Sequence, residues 1–309
     1  MRLSRYDNNQ TISVTALLVI TVVTFAVMLI PVYTNSGNSL WVKISATLFP
    51  LAGAVAVAAF ANSLSIIKKN LMLPAFFVIV SMGATGYDSG CWKGYACAAI
   101  ILFSWYMTTT LQKEERCAWR VFNIMAAMAA GSLISGTVVA FIPFIFIGLA
   151  LYDRISIINI SASILGAGFV YAVIYALAYL TSDVAIVSDY IGTLYRPISI
   201  LTLSIYEIIF CSAIGVYIII AHIAFIARFT SNSILFRHTM LFNYIILFVA
   251  ITLMILFNEN ALYEPTICLL TGVTLPFYVE FSKSKAETVL FYTFYFILLF
   301  SFAVKNFIP

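Results

Sequence analysis

The sequence predicts an all-α protein: a polytopic bundle of transmembrane helices with about 11 crossings and a cytoplasmic amino terminus. Of its 309 residues, 63% are apolar and only 9% are charged, whereas a typical soluble domain is about 25% charged. The apolar residues form runs close to the ~20 residues that cross ~30 Å of hydrocarbon as a helix. These runs lack the alternation of apolar and polar residues that a transmembrane barrel requires.

Ten apolar segments follow one another along the chain, and nine of them indicate single crossings. The first, Ile12 to Tyr33, follows two arginines and is too long for the core of a signal peptide, so we expect it to be retained. The other single crossings are Trp41 to Ile67, Leu71 to Thr85, Tyr95 to Leu111, Ser156 to Leu180, Pro197 to Ala227, Met240 to Asn258, Pro265 to Phe281 and Thr288 to Val304.

The tenth segment, Val121 to Tyr152, is too long for one crossing and is interrupted by glycines and Pro143. Cytoplasmic loops carry an excess of Lys and Arg, so charge separates one crossing from two. With two crossings, 12 of the 16 basic residues are cytoplasmic, whereas one crossing divides them as nine and seven. We therefore predict a hairpin, either two short crossings or a re-entrant pair, which leaves Arg154 cytoplasmic. The four outer basic residues are then Lys43, Lys93, Arg196 and Lys305.

Small residues four apart predict close helix contacts, because lipid supplies no hydrophobic drive and tight packing must hold the helices together. Pro143 is predicted to interrupt the hydrogen bonds of a helix and kink it. Without an internal repeat or a long linker, residues 1–309 are predicted to form a single membrane domain. The stripes of small residues are Ala54 and Ala58; Ala127, Gly131 and Ser135; and Gly168, Ala172 and Ala176.

Glu207 is the most informative single residue. A span that begins at Pro197 places it about 15 Å deep by helix rise, where a carboxylate must be protonated, paired or in contact with water. It is a candidate for an ion or proton pathway. The alternative is a protonated side chain that only bonds neighbouring Tyr or Ser residues. His222, a second intramembrane polar candidate, lies 15 residues further along the same predicted helix, too far for direct contact.

The predicted outer connections carry a second candidate site. Asp88 lies in one connection, and Asp183, Asp189 and Arg196 lie in the longest one. Carboxylates beside a cation and aromatic rings suit a sugar or lipid phosphate, with one carboxylate as general base. These four are the candidate catalytic residues. The alternative is that they are solvated loop charges.

No cofactor, metal or nucleic-acid partner is predicted. The five cysteines show neither CxxC spacing nor a neighbouring histidine, and the basic residues do not form one patch. Phosphate-binding glycine loops and soluble-type catalytic motifs are absent from the sequence. The predicted partner is the lipid bilayer, with a lipid-linked glycan or a small solute as the candidate ligand.

Three motifs carry a resemblance: SIIKKN ends the second span, RVFN opens the hairpin and DRISIIN leads to the next span. From Ser65 to about Tyr171 the chain resembles an uncharacterised family of Bacteroidetes multi-pass inner-membrane proteins, which implies a bacterial inner-membrane location and no particular activity. A weaker likeness is to membrane glycosyltransferases that use polyprenyl-phosphate sugars. Their first outer loop usually bears a catalytic acid, and TNSGNSL here has none.

Two functions stay open, and the sequence does not decide whether the chain is an enzyme. The first is a transporter or an envelope membrane component of unknown molecular function, with Glu207 in a polar pathway. The second is an outward-facing glycosyltransferase or polymerase that acts on lipid-linked glycans through the four outer residues.

Overall fold

The computed structural model describes residues 14–35, 37, 39–64, 72–85, 92–111, 117–181, 204–227, 233–257, 260–280 and 285–307. These residues form eleven α-helices and one 3₁₀ helix, and they contain no strand, which confirms the predicted all-α class. The helices are α1 Val14–Thr34, α2 Leu40–Ser63, α3 Met72–Thr85, α4 Trp92–Thr110, α5 Ala118–Ile134, α6 Ile142–Leu151, α7 Ile157–Leu180, α8 Ile205–Ala227, α9 Ile234–Phe257, α10 Asn260–Glu280 and α11 Lys285–Phe307. The 3₁₀ helix, Gly136–Phe141, joins α5 to α6.

Six helices are long and apolar enough to cross a membrane: α1, α2, α7, α8, α9 and the Val289–Asn306 part of α11. Shorter apolar helices cover Met72–Ala84, Ala118–Ile134 and Gly136–Leu151. Large apolar side chains are exposed on these helices, as lipid contact requires; on α7, Ile164 and Leu165 are 67% and 64% exposed. The helices therefore support a membrane protein. The number of crossings and the side of the amino terminus stay predictions.

Several helices begin at other residues than the apolar runs predict. Helix α8 begins at Ile205 rather than Pro197, and α9 begins at Ile234 rather than Met240. Serines precede both helices, and the Ser233 hydroxyl accepts the Phe236 N–H at 3.3 Å. A polar cap sets a helix start independently of where the apolar run begins, because the first N–H groups lack partners within the helix. As a consequence, Arg237 and His238 lie in α9 and not in a loop.

The chain divides into two compact units. Unit 1 comprises Met1–Tyr87, Leu203–Arg228 and Thr271–Pro309, and unit 2 comprises Asp88–Thr202 and Phe229–Leu270. Each unit is assembled from separate stretches of the chain. The single domain over residues 1–309 stays a prediction.

In unit 1, α8 and α11 pack antiparallel. At the start of α8, the Tyr206 carbonyl accepts a hydrogen bond from Ser301 near the end of α11, at 3.1 Å. Eleven residues further along α8, Tyr217 donates to the carbonyl of Leu290 near the start of α11. An aromatic core packs beside this pair, with the rings of Phe76 and Phe291 5.1 Å apart.

In unit 2, α5 and α7 are parallel and in close contact. Cys117 before α5 meets Asn159 at the start of α7, and Ser132 near the end of α5 is hydrogen-bonded to Tyr171 at 2.9 Å. The segment between the two helices therefore returns to the end where α5 begins. This reversal agrees with the predicted hairpin.

The segment that returns has a well-defined start and end. Pro143 lies in the first turn of α6, where its missing N–H is not needed, so the predicted kink within a helix is wrong. At the other end, Asp153 has a left-handed φ of 53°, and the Arg154 N–H donates to the Leu149 carbonyl at 2.8 Å. This is a Schellman ending, in which the left-handed residue turns the chain out of the helix.

The predicted contact stripe of Gly168, Ala172 and Ala176 on α7 is wrong, because all three residues are exposed. The buried stripe contains Ala162 and Gly166 instead. A Cβ on Gly166 would lie 2.3 Å from the Phe122 carbonyl oxygen of α5. Spacing alone does not identify the contact face, because small residues four apart occur on both faces of this helix.

Candidate functional site

Glu207 lies in the first turn of α8, and its side chain reaches back to Ser204 before the helix. Its Oε2 atom accepts hydrogen bonds from the Ser204 backbone N–H at 2.7 Å and from the Ser204 hydroxyl at 2.6 Å. Its Oε1 atom accepts a bond from the Tyr206 hydroxyl at 3.2 Å. The sequence Ser-Ile-Tyr-Glu thus forms the glutamate half of a capping box, in which the fourth residue reaches back to the first.

The end of α11 completes this polar cluster. The Lys305 Nζ lies 4.7 Å from the centre of the Tyr206 ring, and the buried Ser301 bonds the backbone of the same tyrosine. We call Ser204, Tyr206, Glu207, Ser301 and Lys305 the α8–α11 cluster. It joins an acid, a base and three hydroxyls at one end of an antiparallel helix pair.

The electrostatics of the α8–α11 cluster favour charged side chains. Glu207 lies at the positive end of the α8 dipole and Lys305 in the last turn of α11, at a negative end. Glu207 is only 7% exposed, so its donors replace much of the water that a carboxylate needs. In this arrangement the three donors and the helix dipole offset the cost of burying the Glu207 carboxylate.

The predicted depth of Glu207 within its helix is wrong. The helix that carries it begins at Ile205, so Glu207 is in the first turn rather than ten positions along. The apolar residues after Pro197 suggested an earlier start, and residues 197–203 lie outside the described part of the chain. The SxxE spacing was the available signal for the true helix start.

His222 is not part of the α8–α11 cluster. It lies 15 residues further along α8, which corresponds to about 22 Å of helix rise. Its ring is half-buried, with its centre 6.3 Å from that of Phe225. The structure therefore does not bring the two intramembrane candidates together.

The four candidate catalytic residues, Asp88, Asp183, Asp189 and Arg196, lie outside the described residues. Within the described part of the chain, no group of three or more His, Cys, Asp or Glu side chains is placed to hold a metal ion.

A second buried acid was missed at the sequence level. Glu264 lies in α10 and is 7% exposed, as is Glu207. The predicted span began at the following residue, Pro265, whereas the helix begins at Asn260. The sequence predicts Lys305 as an outer charge, and nothing local in the sequence indicates that it lies over the Tyr206 ring.

The six long apolar helices, with large apolar side chains exposed, support a protein of the α-helical membrane class. More specifically, the chain belongs to a family of unknown function, DUF6427, which matches residues 10–308. The predicted membership of an uncharacterised family is confirmed, and the match covers far more than the third of the chain that carried the resemblance. No curated protein and no solved structure matches the chain.

Proposed function

We propose that the chain is a multi-pass transport protein of the bacterial inner membrane, with Glu207 as the charged group of its pathway. In this proposal the chain crosses the membrane about 11 times as one domain, its amino terminus is cytoplasmic, and it shares a Bacteroidetes origin with the proteins it resembles. The observation that carries the proposal is the buried Glu207 carboxylate in the α8–α11 cluster.

A cap alone does not account for the environment of Glu207. The capping serine, Ser204, is exposed, whereas Glu207 as a whole residue is only 7% exposed. Ionisable groups in membrane-embedded helices are costly and commonly mark ion or proton pathways. The Tyr206 hydroxyl donates to the carboxylate, and Ser301 of α11 donates to the Tyr206 carbonyl, so polar groups continue from Glu207 to α11.

Flux through reconstituted protein tests this function. The purified full-length chain is placed in liposomes, and proton entry is followed with an internal pH dye while sodium entry is followed with a radioactive tracer. Glu207→Gln keeps a hydrogen-bond acceptor for Ser204 but removes the charge. We expect proton or sodium flux above that of protein-free liposomes, and a roughly tenfold slower flux in the variant.

Glu264→Gln is the matched control, because it neutralises an equally buried carboxylate outside the α8–α11 cluster. Its flux should equal that of the wild type. Equal flux from wild-type and Glu207→Gln liposomes, or no flux above protein-free liposomes with either probe, contradicts the proposed function.

The proposed threading is tested separately. Single cysteines at positions 154 and 237 in a cysteine-free background should react only with membrane-permeant maleimides in intact cells. Labelling of either position by an impermeant maleimide from outside places an arginine on the wrong side and overturns the threading.

Action on lipid-linked glycans stays a prediction. Its four residues lie outside the described part of the chain, so no described contact favours it over transport. Loss of a glycan product on substitution of Asp88, Asp183 or Asp189 by Asn, with unchanged ion flux, would favour the enzyme.

A further inference from the structure

All the arginines among the described residues lie at one end of unit 2. They are Arg120 in the first turn of α5, Arg154 after α6, and Arg237 near the start of α9. Contacts of Asn159 and Tyr152 connect the three segments that carry them.

Asn159 connects the first two arginine-bearing segments. Its Nδ2 group donates to the Arg154 carbonyl at 2.7 Å and to Cys117 Sγ at 3.2 Å. Cys117 precedes α5 and lies one turn before Arg120, whose Nη1 donates to Thr110 Oγ1 at 2.9 Å. The end of α4, the starts of α5 and α7 and the turn after α6 are therefore in one layer.

Tyr152 connects the third arginine-bearing segment to this layer. It is two residues before Arg154, and its hydroxyl donates to Thr239 Oγ1 of α9 at 3.3 Å. Its ring centre is 6.0 Å from that of His238. Arg237 is adjacent to His238, so the three arginines occupy the same end of the unit.

Two of these arginines violate a local rule. Helix N-termini carry positive partial charge and favour acids, yet Arg120 and Arg237 lie near the starts of α5 and α9. Local rules are most often broken at functional sites. An anion bound at this end would be stabilised by the arginines and by the helix N-termini together.

His238 provides an independent sign of a ligand. Its Nδ1 atom is buried and has no hydrogen-bond partner among the described residues. A buried polar atom without a partner is costly. A bound acceptor oxygen would satisfy Nδ1 when the ring carries a proton there.

The lipid-facing side of the same end is apolar and aromatic. Trp119, next to Arg120, is 70% exposed and stacks on Phe122 with ring centres 5.3 Å apart. Ile157 and Ile158, soon after Arg154, are 85% and 70% exposed. Tryptophan prefers the level of the lipid headgroups, so an exposed tryptophan beside Arg120 is suited to contact with a phospholipid.

We propose that this arginine end of unit 2 binds a phosphate monoester or diester group, supplied by the headgroup of an anionic phospholipid. Guanidinium groups bind phosphate oxygens through paired hydrogen bonds, which suits arginine better than lysine. The exposed isoleucines and the Trp119–Phe122 stack contact the acyl chains of the same lipid. This site does not depend on Glu207 or on transport.

Native mass spectrometry of the full-length chain tests the site. The detergent-solubilised protein is mixed with phosphatidylglycerol or with phosphatidylcholine of the same acyl chains, and the retained lipid is counted. We expect the wild type to retain phosphatidylglycerol preferentially. Arg120→Gln, Arg154→Gln and Arg237→Gln should each weaken its retention roughly tenfold.

The matched control is Lys93→Gln, which removes a positive charge from the first turn of α4, at the opposite end of that helix from Thr110. Its retention of phosphatidylglycerol should equal that of the wild type. Arg120→Lys and Arg237→Lys keep the charge and serve if a glutamine variant does not fold. They should lower retention because the paired geometry is lost.

Inorganic phosphate separates the two sources of the group. If millimolar phosphate does not displace the lipid, the phospholipid is the ligand. If phosphate displaces the lipid from the wild type but not from the arginine variants, the same arginines bind phosphate, and the ligand is a soluble phosphate. Equal retention of both lipids by the wild type, or equal retention of phosphatidylglycerol by the wild type and all arginine variants, overturns the proposal.

Discussion

The two units differ in where their charged side chains lie relative to the helix ends. In the α8–α11 cluster of unit 1, an acid and a base each lie at the helix end that stabilises them, and their neighbours donate or accept hydrogen bonds. At the arginine end of unit 2, cations lie near helix starts that disfavour them. In the first arrangement each charge lies at the helix end that stabilises it, whereas in the second the proposed phosphate would offset the unfavourable helix ends. Charge and helix polarity therefore agree in unit 1 and oppose each other at the arginine end of unit 2.

The helix contacts that support these two ends differ as well. In unit 2, α5 and α7 approach so closely that the backbone of Phe122 faces Gly166. In unit 1, α8 and α11 are separated by side chains, with the rings of Tyr217 and Phe294 4.3 Å apart. A backbone contact cannot adjust to added volume as side chains can. The stability of unit 2 should therefore be more sensitive than that of unit 1 to substitutions that add side-chain volume.

The largest effect is expected for Gly166→Ala. The added Cβ would lie 2.3 Å from a backbone oxygen, so α5 and α7 must separate, which should lower stability by ~3 kcal/mol. The measurement is thermal unfolding in detergent, followed by size-exclusion chromatography with fluorescence detection.

Gly168→Ala is the control on the same helix, because a Cβ there meets no atom within 4 Å. Its stability should stay unchanged or rise, by up to ~1 kcal/mol, because alanine favours the helix. Equal losses of stability for the two variants would contradict the assignment of Gly166 to a buried face of α7 and of Gly168 to an exposed face.

The second effect concerns Asn159, which connects α7 to the start of α5 and to Arg154. Asn159→Ala removes both side-chain donors and should destabilise the chain by ~1–2 kcal/mol. It should also weaken phosphatidylglycerol retention, because the Arg154 turn loses its anchor. Asn306→Ala, which removes a bond within α11 only, should change neither. Loss of stability with unchanged lipid retention would show that the turn does not position the proposed site.

Much of the fold could be predicted from the sequence because its signals are local. Uninterrupted apolar runs predicted the helical class, and Val121 to Tyr152 correctly indicated a chain reversal. Helix starts were less predictable. Ser204 and Ser233 mark the starts of α8 and α9, whereas the apolar runs in the sequence begin at other residues. The Lys305–Tyr206 contact joins residues 99 positions apart, so no local pattern indicated it. The glycine that contacts α5 was missed because spacing alone favoured Gly168.

A smaller effect is expected for removal of the cap on α8. Glu207→Ala loses the bonds to Ser204 and should destabilise the chain by ~1 kcal/mol. Glu207→Gln keeps an acceptor oxygen and should retain most of the wild-type stability. Thermal unfolding in detergent at matched ionic strength distinguishes the two. If Gln is as destabilising as Ala, the charge at the positive end of α8 matters more than the hydrogen bond.

The smallest effect is expected at Lys305. Lys305→Met keeps the length of the side chain but removes the cation over the Tyr206 ring and the positive charge in the last turn of α11. Half-burial limits the contribution, so the loss should be ~0.5–1 kcal/mol. Lys93→Met is the control, because Lys93 is exposed, lies 5.9 Å from the centre of the Trp92 ring and occupies the first turn of its helix. A loss at Lys305 that exceeds the loss at Lys93 and shrinks in concentrated salt supports charge compensation in unit 1. Equal and salt-independent effects at the two lysines would mean that the α8–α11 cluster is held by its hydroxyl contacts alone. The difference in charge placement between the two units would then depend only on the arginines of unit 2.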